Sequence, residues 1–189
     1  MAADKKGSQR TLASIALLDE TGFMLQPLRQ RTWSPRGQTP VQKPWDRRDR
    51  LSAIGALTVS PRRRRLNLYF RIQPRNVEGA DLVHFVEQLH RRLAGPLILV
   101  WDRFGPHKQA ASQLLREHSD WLSIEWLPSY SPKLNPIEHC WDQTKYHDLA
   151  NFLPDDIDEL YEAASGSLSQ QRLNQSLLRS HFGYAQLAL

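Results

Sequence analysis

The sequence predicts an α/β fold, a mixed five-stranded sheet with helices on both faces. Three strand-like segments come first, and strands then alternate with helical segments. Strands joined by short turns pair in antiparallel fashion, whereas strands separated by a helix pair in parallel. A length of 189 residues suits one domain with a substantial buried core.

The strand predictions rest on short runs of apolar and β-branched residues. The first run is apolar at consecutive positions, which is typical of a strand buried on both faces. The second and third runs are joined by the segment PRRRR at residues 61–65, which favours a hairpin. The five predicted strands are residues 11–19, 51–60, 66–73, 97–101 and 123–127.

Helices are predicted where apolar residues recur every three or four positions. Leu82, Phe85 and Leu89 follow this spacing. A later helix begins at Asn135, because asparagine is a favoured N-cap and Pro136 suits the first turn. The predicted helical segments are 80–93, 107–118, one starting at 135, one near 154–164, and the tail from 167 to 189.

This order of elements is that of a ribonuclease-H-like fold, in which the first strand pairs with the fourth. Residues 1–10 are expected to form a flexible arm, residues 11–165 the main domain, and residues 166–189 a helical tail. Residues 26–50 contain four prolines and many basic residues, so we expect a long, partly extended insertion after the first strand.

The charge of the chain is unevenly distributed. Net charge is +5, but residues 1–75 hold 16 Lys and Arg against 5 Asp and Glu, while residues 76–189 hold 9 against 15. A strongly basic half indicates a polyanion as partner, bound by phosphate contacts that weaken as salt rises. Composition leaves a solubilising basic surface open as the alternative.

Several classes of protein are excluded by composition. The single cysteine, Cys140, rules out an internal disulfide and a cysteine-rich zinc site. The polar start MAADKKGSQR lacks the apolar core of a signal peptide. No apolar run approaches the roughly 20 residues that cross a bilayer. We therefore expect a soluble, cytoplasmic protein with no membrane partner.

Three acids stand where a divalent-metal site can be built. Asp19 and Asp102 each end an apolar run, and Glu138 opens a helix in LPSYSPKLNPIEHCW. Two metal ions roughly 3.5–4 Å apart stabilise both the attacking and the leaving oxygen of a phosphodiester. Mg²⁺ and Mn²⁺ prefer hard oxygen ligands, so a few carboxylates are sufficient for such a site.

Each acid also has a structural interpretation. Glu20 follows Asp19, and adjacent strand side chains point to opposite faces, so one of the two can enter the site and we choose Asp19. Asp102 could cap the turn after its strand. Glu138 occupies the third helical position of a capping box, and Asp142, one turn later, is its rival as third ligand.

Candidate DNA contacts lie near these acids and in the insertion. Trp33 and Arg36 could stack on bases and bind phosphate, or pack the insertion on the domain. Lys145, two helical turns after the third acid, could reach the scissile phosphate or remain a surface lysine. His107 could touch substrate or cap the next helix, and the cap is favoured. Arg62 to Arg65 are more often a solvated hairpin tip than a DNA contact.

Three segments carry a family resemblance: LLDETGFMLQPLRQRTWSPRGQTP (17–40), LVWDRFGPHK (99–108) and LPSYSPKLNPIEHCW (127–141). The first resembles Asp-Glu-Ser/Thr-Gly-Phe followed by Arg-Thr-Trp-x-Pro-x-Gly, and the second resembles Asp-Asn-x-x-x-His. The third resembles Leu-Pro-Pro-Tyr-Ser-Pro-x-Leu-Asn-Pro-Ile-Glu, the most specific motif. Together they resemble the catalytic domain of bacterial insertion-sequence transposases related to mariner, which are DDE-type enzymes.

The resemblance implies a DNA transposase domain in which Asp19, Asp102 and Glu138 are catalytic and bind two Mg²⁺ or Mn²⁺ ions. Enzymes of this family hydrolyse DNA at transposon ends, and the freed 3′-hydroxyl then attacks target DNA. In related enzymes the insertion acts as a clamp between subunits or on DNA, which suits residues 26–50. Double-stranded DNA, at transposon ends and target, and a second copy in an active homodimer are the implied partners.

The sequence departs from the family pattern at a few places. Arg103 stands where asparagine follows the second acid, so we expect it to affect DNA contacts, and Ser129 replaces a proline. Family members also carry N-terminal helix-turn-helix modules, whereas this sequence starts at the catalytic domain. A separately encoded helix-turn-helix protein is therefore a candidate partner, and a truncated relic or a domesticated derivative is the alternative.

Three other functions stay open at this point. A ribonuclease-H-like nuclease would hydrolyse DNA without joining it. A catalytically inactive or truncated remnant would bind DNA through its basic half. A structural module that forms oligomers would bind no DNA even at low salt.

Overall fold

The computed structural model describes residues 13–26, 28–41, 49–128 and 132–187. These residues form the predicted five-stranded mixed sheet, in the order β3-β2-β1-β4-β5. The first three strands are antiparallel neighbours, and β4 and β5 run parallel to β1. The strands are β1 (Ser14–Met24), β2 (Arg50–Val59), β3 (Leu66–Gln73), β4 (Leu97–Trp101) and β5 (Leu122–Trp126).

Helices cover both faces of the sheet. One face carries α1 (Gly79–Leu93) and α2 (Gly105–His118). The other face carries α3 (Pro136–Asp142), α4 (Ile157–Leu173) and α5 (Gln175–Tyr184). In the described part of the chain, none of the helices has the length and apolar character needed to span a bilayer. A 3-10 turn at Pro132–Leu134 precedes α3, and a π-helical turn at Gln143–Asp148 continues it.

Alternating side chains of β1 divide the interior into two cores. Leu17 packs in the core beneath α3, α4 and α5, whereas Ala16 and Leu18 pack in the core beneath α1 and α2. Successive residues of a strand point to opposite faces of the sheet. Asp19 therefore faces the side of α3, and its neighbour Glu20 faces the side of α2.

The first strand is longer than the sequence predicts. The apolar run stops at Asp19, but β1 continues to Met24, and its ladder with β2 extends to the pair of Met24 and Arg50. The backbone of β2 supplies hydrogen-bond partners beyond the apolar run, so polar side chains do not end the strand. Asp19 consequently lies inside β1 and not at its end.

The predicted insertion joins β1 to β2. Residues 28–41, the part of it that the structure describes, contain no helix or strand and are exposed. They are held to the domain at Asn151, whose backbone N–H donates a 3.2 Å hydrogen bond to the carbonyl oxygen of Leu28. The N–H of Gln30 in turn donates to Oδ1 of Asn151 at 2.9 Å.

The C-terminal segment is part of the domain and not a separate tail. The boundary predicted between residues 165 and 166 falls inside α4, because the core contacts of Ala164 and Leu168 carry the helix across it. Leu178 and Phe182 of α5 are buried in the same core. The arm predicted at residues 1–10 lies outside the described residues.

Candidate active site

Asp19 and Asp102 lie at matching positions on neighbouring parallel strands. The ladder between β1 and β4 ends with the pairing of Leu17 and Val100. The same register, continued for two residues, brings Asp19 level with Asp102. Asp102 directly follows the carboxyl end of β4, whereas Asp19 lies inside β1, the parallel neighbour of that strand.

Trp141 of α3 binds the carboxylate of Asp19. Its indole N–H donates a 3.1 Å hydrogen bond to Oδ2 of Asp19. Asp19 pairs across the β1–β2 ladder with Gly55. A Cβ atom at Gly55 would lie 2.4 Å from the Trp141 ring. Because glycine has no side chain, Trp141 can approach β2 closely enough to reach Asp19.

The protonation of Asp19 is strongly perturbed. Burial, followed by the negative charges of Glu138 and Glu20, raises the pKa of Asp19 to about 8, although the hydrogen bond from Trp141 opposes the rise. Neighbouring like charges of this kind favour the neutral acid, and a bound cation relieves them. Acids perturbed in this way by burial and by specific neighbours are common at functional sites.

Glu138 brings the third carboxylate from the first turn of α3. Burial and then the charge of Asp142 raise the pKa of Glu138, with Asp102 adding to the rise and Lys145 opposing it. The charge of Glu138 also raises the pKa of Asp19. Glu138 is therefore close enough to interact electrostatically with both of the other acids.

Of the two competing interpretations of α3, the capping box is not supported, whereas Asp142 stays open as a third ligand. In the described part of the chain, the N-cap residue Asn135 makes no side-chain hydrogen bond to the helix, so the capping box is not formed. Asp142, the rival third ligand, has a side chain that is 56% exposed and lies 4.0 Å from Nδ1 of His139. Its charge raises the pKa of Glu138.

His107 connects Asp102 to Glu20. Nδ1 of His107 contacts Oδ1 of Asp102, and Nε2 lies 2.9 Å from Oε2 of Glu20. The imidazole is stacked on Trp101, with 4.4 Å between ring centroids. Burial lowers the pKa of His107, but the hydrogen bonds and charges of Glu20 and Asp102 outweigh it and raise the pKa. The imidazolium form, which donates from both nitrogens, is thereby favoured.

This position corrects the expectations for His107. Its side chain is 4% exposed, so it is not available as a DNA contact in this structure. Its ring bonds the carboxylates of Glu20 and Asp102 and does not cap α2, which begins at Gly105. The turn before α2 is instead held by Asp102, whose Oδ1 accepts a 3.0 Å hydrogen bond from the N–H of Phe104.

Lys145 extends from the π-helical turn toward β1. Its Nζ lies 2.5 Å from Oγ1 of Thr21 and 5.7 Å from the ring centroid of Phe23. Burial lowers the pKa of Lys145, while the charges of Glu138 and Asp142 oppose this. The lysine is therefore a half-buried cation beside the acids and not an open surface residue. The π-helical turn that carries it is a feature often found at functional sites.

The tightest group of metal-ligating atoms among the described residues lies elsewhere. Glu87, Glu117 and His118 have ligand atoms within 4.8 Å of one another, on α1 and α2. His118 is already paired with Glu87 at 3.0 Å, and the group is partly exposed. Asp19, Asp102 and Glu138 are more widely spaced. The ligands of two ions surround a larger volume than the ligands of one ion, so this wider spacing is compatible with a two-ion site.

The remaining predicted DNA contacts are at the surface. Trp33 is fully exposed on the insertion, and Arg36 is exposed in a turn in which Gly37 has a φ of 85°. Arg103 is exposed directly after Asp102. Arg103 and Lys145 thus lie by the acids, whereas Trp33 and Arg36 lie on the insertion. Ser129 is outside the described residues.

The sequence did not identify three residues that build the site. Trp141 and Gly55 form the support of Asp19, and Glu20 forms the ion pair with His107. A glycine inside the apolar run of β2 is a weak signal of a close approach, because glycine otherwise weakens a strand. The partner of that glycine depends on tertiary packing.

The sheet order, in which β1 and β4 are parallel neighbours with Asp19 on β1 and Asp102 directly after β4, is that of a ribonuclease-H-like fold. The chain belongs to the DDE superfamily endonucleases, whose family model matches residues 14–161. This finding confirms that the chain is of the DDE type, as the three sequence segments indicated.

Solved structures of the Mos1 transposase share the fold. Its paired-end complex with the left transposon end matches with a TM-score of 0.66 and 16% identity, over 96% of this chain and 55% of that chain. The Mos1 strand transfer complex matches with a TM-score of 0.63 and 18% identity, over 97% and 54%. The Mos1 mariner paired-end complex with Mn gives 0.64 and 16%, over 97% and 54%.

These structural matches concern the fold of the chain. At this level of identity they confirm the ribonuclease-H-like fold. The chain spans about half the length of the transposase chains it matches. No curated protein matches the sequence.

Proposed function

We propose that this domain cuts and joins DNA as the catalytic domain of a transposase, with Asp19, Asp102 and Glu138 as its catalytic carboxylates. The observation that carries the proposal is the convergence of these acids. Asp19 lies on β1, and Asp102 directly follows β4, the parallel neighbour of β1. Glu138 interacts electrostatically with both of them.

The residues present fit divalent ions. The donor set is three carboxylates, which are the hard oxygen ligands that Mg²⁺ and Mn²⁺ prefer. The raised pKa values of Asp19 and Glu138 reflect burial and mutual repulsion, both of which a cation offsets. Two bound ions would supply charge stabilisation for the attacking and leaving oxygens of a phosphodiester. Mos1 has been solved in paired-end complexes with Mn and with Mg.

The surrounding residues position this donor set. Trp141 fixes one oxygen of Asp19, and His107 fixes one oxygen of Asp102. Lys145 places a positive charge beside Glu138, where it can attract a phosphate. Arg103 presents an exposed guanidinium next to Asp102. Pre-ordered ligands and cations reduce the reorganisation needed when DNA binds.

Plasmid nicking with Mn²⁺ tests the proposal. The protein is expected to convert supercoiled plasmid to the nicked form, and Glu138→Gln, which keeps the size of the side chain, is expected to reduce the rate at least about 100-fold. Asp120→Asn, an exposed acid in a turn before β5, serves as the matched control. Equal nicking by the protein and Glu138→Gln would exclude the triad.

Strand transfer separates a transposase from the nuclease alternative. A pre-cleaved DNA end with a free 3′-hydroxyl is offered together with a target plasmid. Joined product supports the transposase, whereas hydrolysis without joined product supports a nuclease. The inactive remnant predicts no metal-dependent nicking, with DNA affinity unchanged or higher in Asp102→Asn. A structural module predicts no DNA binding even at low salt.

The proposal extends to partners and location. We place the domain on double-stranded DNA at transposon ends and target, in the cytoplasm and associated with the nucleoid of a bacterium. The active form is proposed to be a homodimer in which residues 26–50 act as a clamp. The full exposure of Trp33 on this segment supports that role. End recognition by a separately encoded helix-turn-helix protein completes the proposal, and sedimentation with and without end DNA tests the homodimer.

A further inference from the structure

A group of arginines lies at the end of the sheet opposite the acids. β1 and β4 begin at that end, and the β2–β3 turn and the end of α1 lie there as well. Along β1, Ser14 is roughly 17 Å from Asp19, at about 3.3 Å per residue. We call this group the arginine end; its members are Arg62–Arg65, Arg91, Arg92, Arg172 and Arg179.

Tertiary contacts hold the members of the arginine end together. The guanidinium of Arg179 donates a 2.6 Å hydrogen bond to the carbonyl oxygen of Arg64. The side-chain amide of Gln175 accepts from the N–H of Leu66 at 3.1 Å and donates to its carbonyl oxygen at 2.8 Å. These bonds fix the junction of α4 and α5 against the first residue of β3.

Two of the arginines line a groove at the edge of the sheet. Arg92 of α1 and Arg172 of α4 border a groove of about 630 Å³, together with Tyr69 of β3. The two helices lie on opposite faces of the sheet. The groove therefore crosses the outer edge of β3, and positive charge reaches it from both faces.

The charge of the arginine end is not neutralised within the domain. Across the described ranges of the chain, none of its arginines forms an ion pair with a carboxylate. All of them except Arg63 are exposed, and Arg63 is half-buried. Arg63 also uses its guanidinium to bond the carbonyl oxygens of Ala13 and Ser60. Like charges gathered in this way create a positive potential that attracts a polyanion.

We propose that the arginine end binds the sugar-phosphate backbone of a second double-stranded DNA segment, without base specificity and without metal ions. The proposal depends on the proposed function in one respect, that DNA is the substrate. A duplex is stiff over a length far greater than this domain. A segment held at the acids therefore cannot also wrap around the opposite end, and the two ends engage separate segments.

The composition of the surface favours phosphate over the carboxylates of an acidic protein. Every cation in the group is arginine, whose planar guanidinium matches phosphate with two parallel hydrogen bonds and is weakly hydrated. The arginines are distributed over the β2–β3 turn, α1, α4 and α5. Such a spread suits the regular spacing of phosphates along a duplex.

Duplex binding in EDTA tests the proposal. Without metal, the acids repel DNA, so affinity reports contacts elsewhere. Fluorescence anisotropy with a labelled duplex of mixed sequence compares the protein with Arg92→Gln/Arg172→Gln. At 50 mM salt we expect a loss of affinity of at least about tenfold, and a salt slope smaller by about 0.9 for each lost phosphate contact. Arg92→Lys/Arg172→Lys keeps the charge and is expected to retain most of the affinity.

The matched control is Lys108→Gln/Lys133→Gln, which removes the same charge from exposed positions outside the arginine end. Its affinity is expected to change less than about twofold. An equal loss in both pairs would show that net charge alone matters, and would overturn the proposal. Unchanged duplex binding with lost polyglutamate binding would assign the surface to an acidic protein, and would also overturn it.

Two further measurements keep this test separate from the catalytic proposal. Thermal unfolding checks that each variant is folded, which we expect because the substituted arginines are exposed. Glu138→Gln, which removes one of the charges that repel DNA, is expected to bind duplex in EDTA at least as tightly as the unaltered protein does. If nicking is absent, the catalytic proposal fails while the arginine end stays testable. If the arginine variants bind normally, this inference fails while catalysis stands.

Discussion

The indole N–H of Trp141 donates a 3.1 Å hydrogen bond to Oδ2 of Asp19. This bond spans 122 residues of sequence and joins α3 to β1. It places the helix that carries Glu138 directly against the strand that carries Asp19. The relative position of the first and third acids therefore depends on the packing of one aromatic ring.

Gly55→Ala is expected to displace that ring. The new Cβ would lie 2.4 Å from Trp141 and 2.9 Å from Ile137, and overpacking of this kind costs about 1–3 kcal/mol. We expect lower stability in urea denaturation and loss of Mn²⁺-dependent nicking. Gly22→Ala on β1 is the control, because its nearest contact is 3.8 Å away. Normal nicking in Gly55→Ala would show that Trp141 does not position Asp19.

Asp19→Asn is expected to stabilise the metal-free protein at alkaline pH. The pKa of Asp19 is raised from 3.8 to about 8, so the folded state retains a proton that the unfolded chain releases. Stability linked to this group is present below about pH 4 and is lost as pH rises through about 8. Asparagine resembles the protonated acid and avoids that loss.

Urea denaturation in EDTA between acidic and alkaline pH measures this effect. The free energy of unfolding of Asp19→Asn should exceed that of the unaltered protein by an amount that grows with pH, to the order of a few kcal/mol. Mn²⁺ should then stabilise the unaltered protein at alkaline pH more than it stabilises the variant. A pH-independent difference between the two proteins would contradict the raised pKa.

His107→Leu is expected to reduce both stability and nicking. The substitution preserves much of the buried volume but leaves Glu20 and Asp102 without the imidazole that joins them. The Glu20 side chain is only 19% exposed, and an acid buried to this extent without its partner costs about 1–3 kcal/mol. His118→Leu is the control, since His118 also bonds a glutamate but lies away from the acids. Both thermal unfolding and nicking rates should separate the two variants.

Lys145→Met is expected to slow nicking and to shift its pH dependence. The charge of Lys145 lowers the pKa of Glu138, so its removal raises that pKa. Glu138 acts in its carboxylate form, so the nicking rate should rise with pH as this group loses its proton. In Lys145→Met this rise should occur at higher pH. We also expect the rate to fall roughly tenfold near neutral pH, because the cation that can attract a phosphate is removed. Lys133→Met, at an exposed lysine, should leave the pH profile where it was.

Local sequence patterns were sufficient to predict much of the fold. The strands at 66–73 and 97–101 begin and end where predicted, because their apolar runs are bounded by turn residues. The end of β1 was misplaced at Asp19, since backbone pairing with β2 continues past the last apolar residue. The predicted helix near 154–164 is α4, which extends to Leu173 because buried Leu168 and its neighbours pack on the sheet.

Some residues of the candidate site were predictable from the sequence, and others were not. Asp19, Asp102 and Glu138 each follow a recognisable local pattern, and the sheet order then brings them together. The interior location of His107 was not predictable, because it depends on Glu20, which precedes it by 87 residues. The π-helical turn at Gln143–Asp148 was not predictable either. A buried network across two helices accompanies it, in which Gln171 donates to Oγ1 of Thr144 at 2.8 Å.

The pairing of Met24 with Arg50 has a consequence for how such domains diversify. This pair holds the two ends of the insertion side by side, at the end of β1. The length and composition of the insertion can change while the β1–β2 ladder stays intact, since the entropic cost of closing a loop depends weakly on its length. Changes in the insertion can therefore alter what the domain contacts at this edge of the sheet, without disturbing the strands that carry the acids.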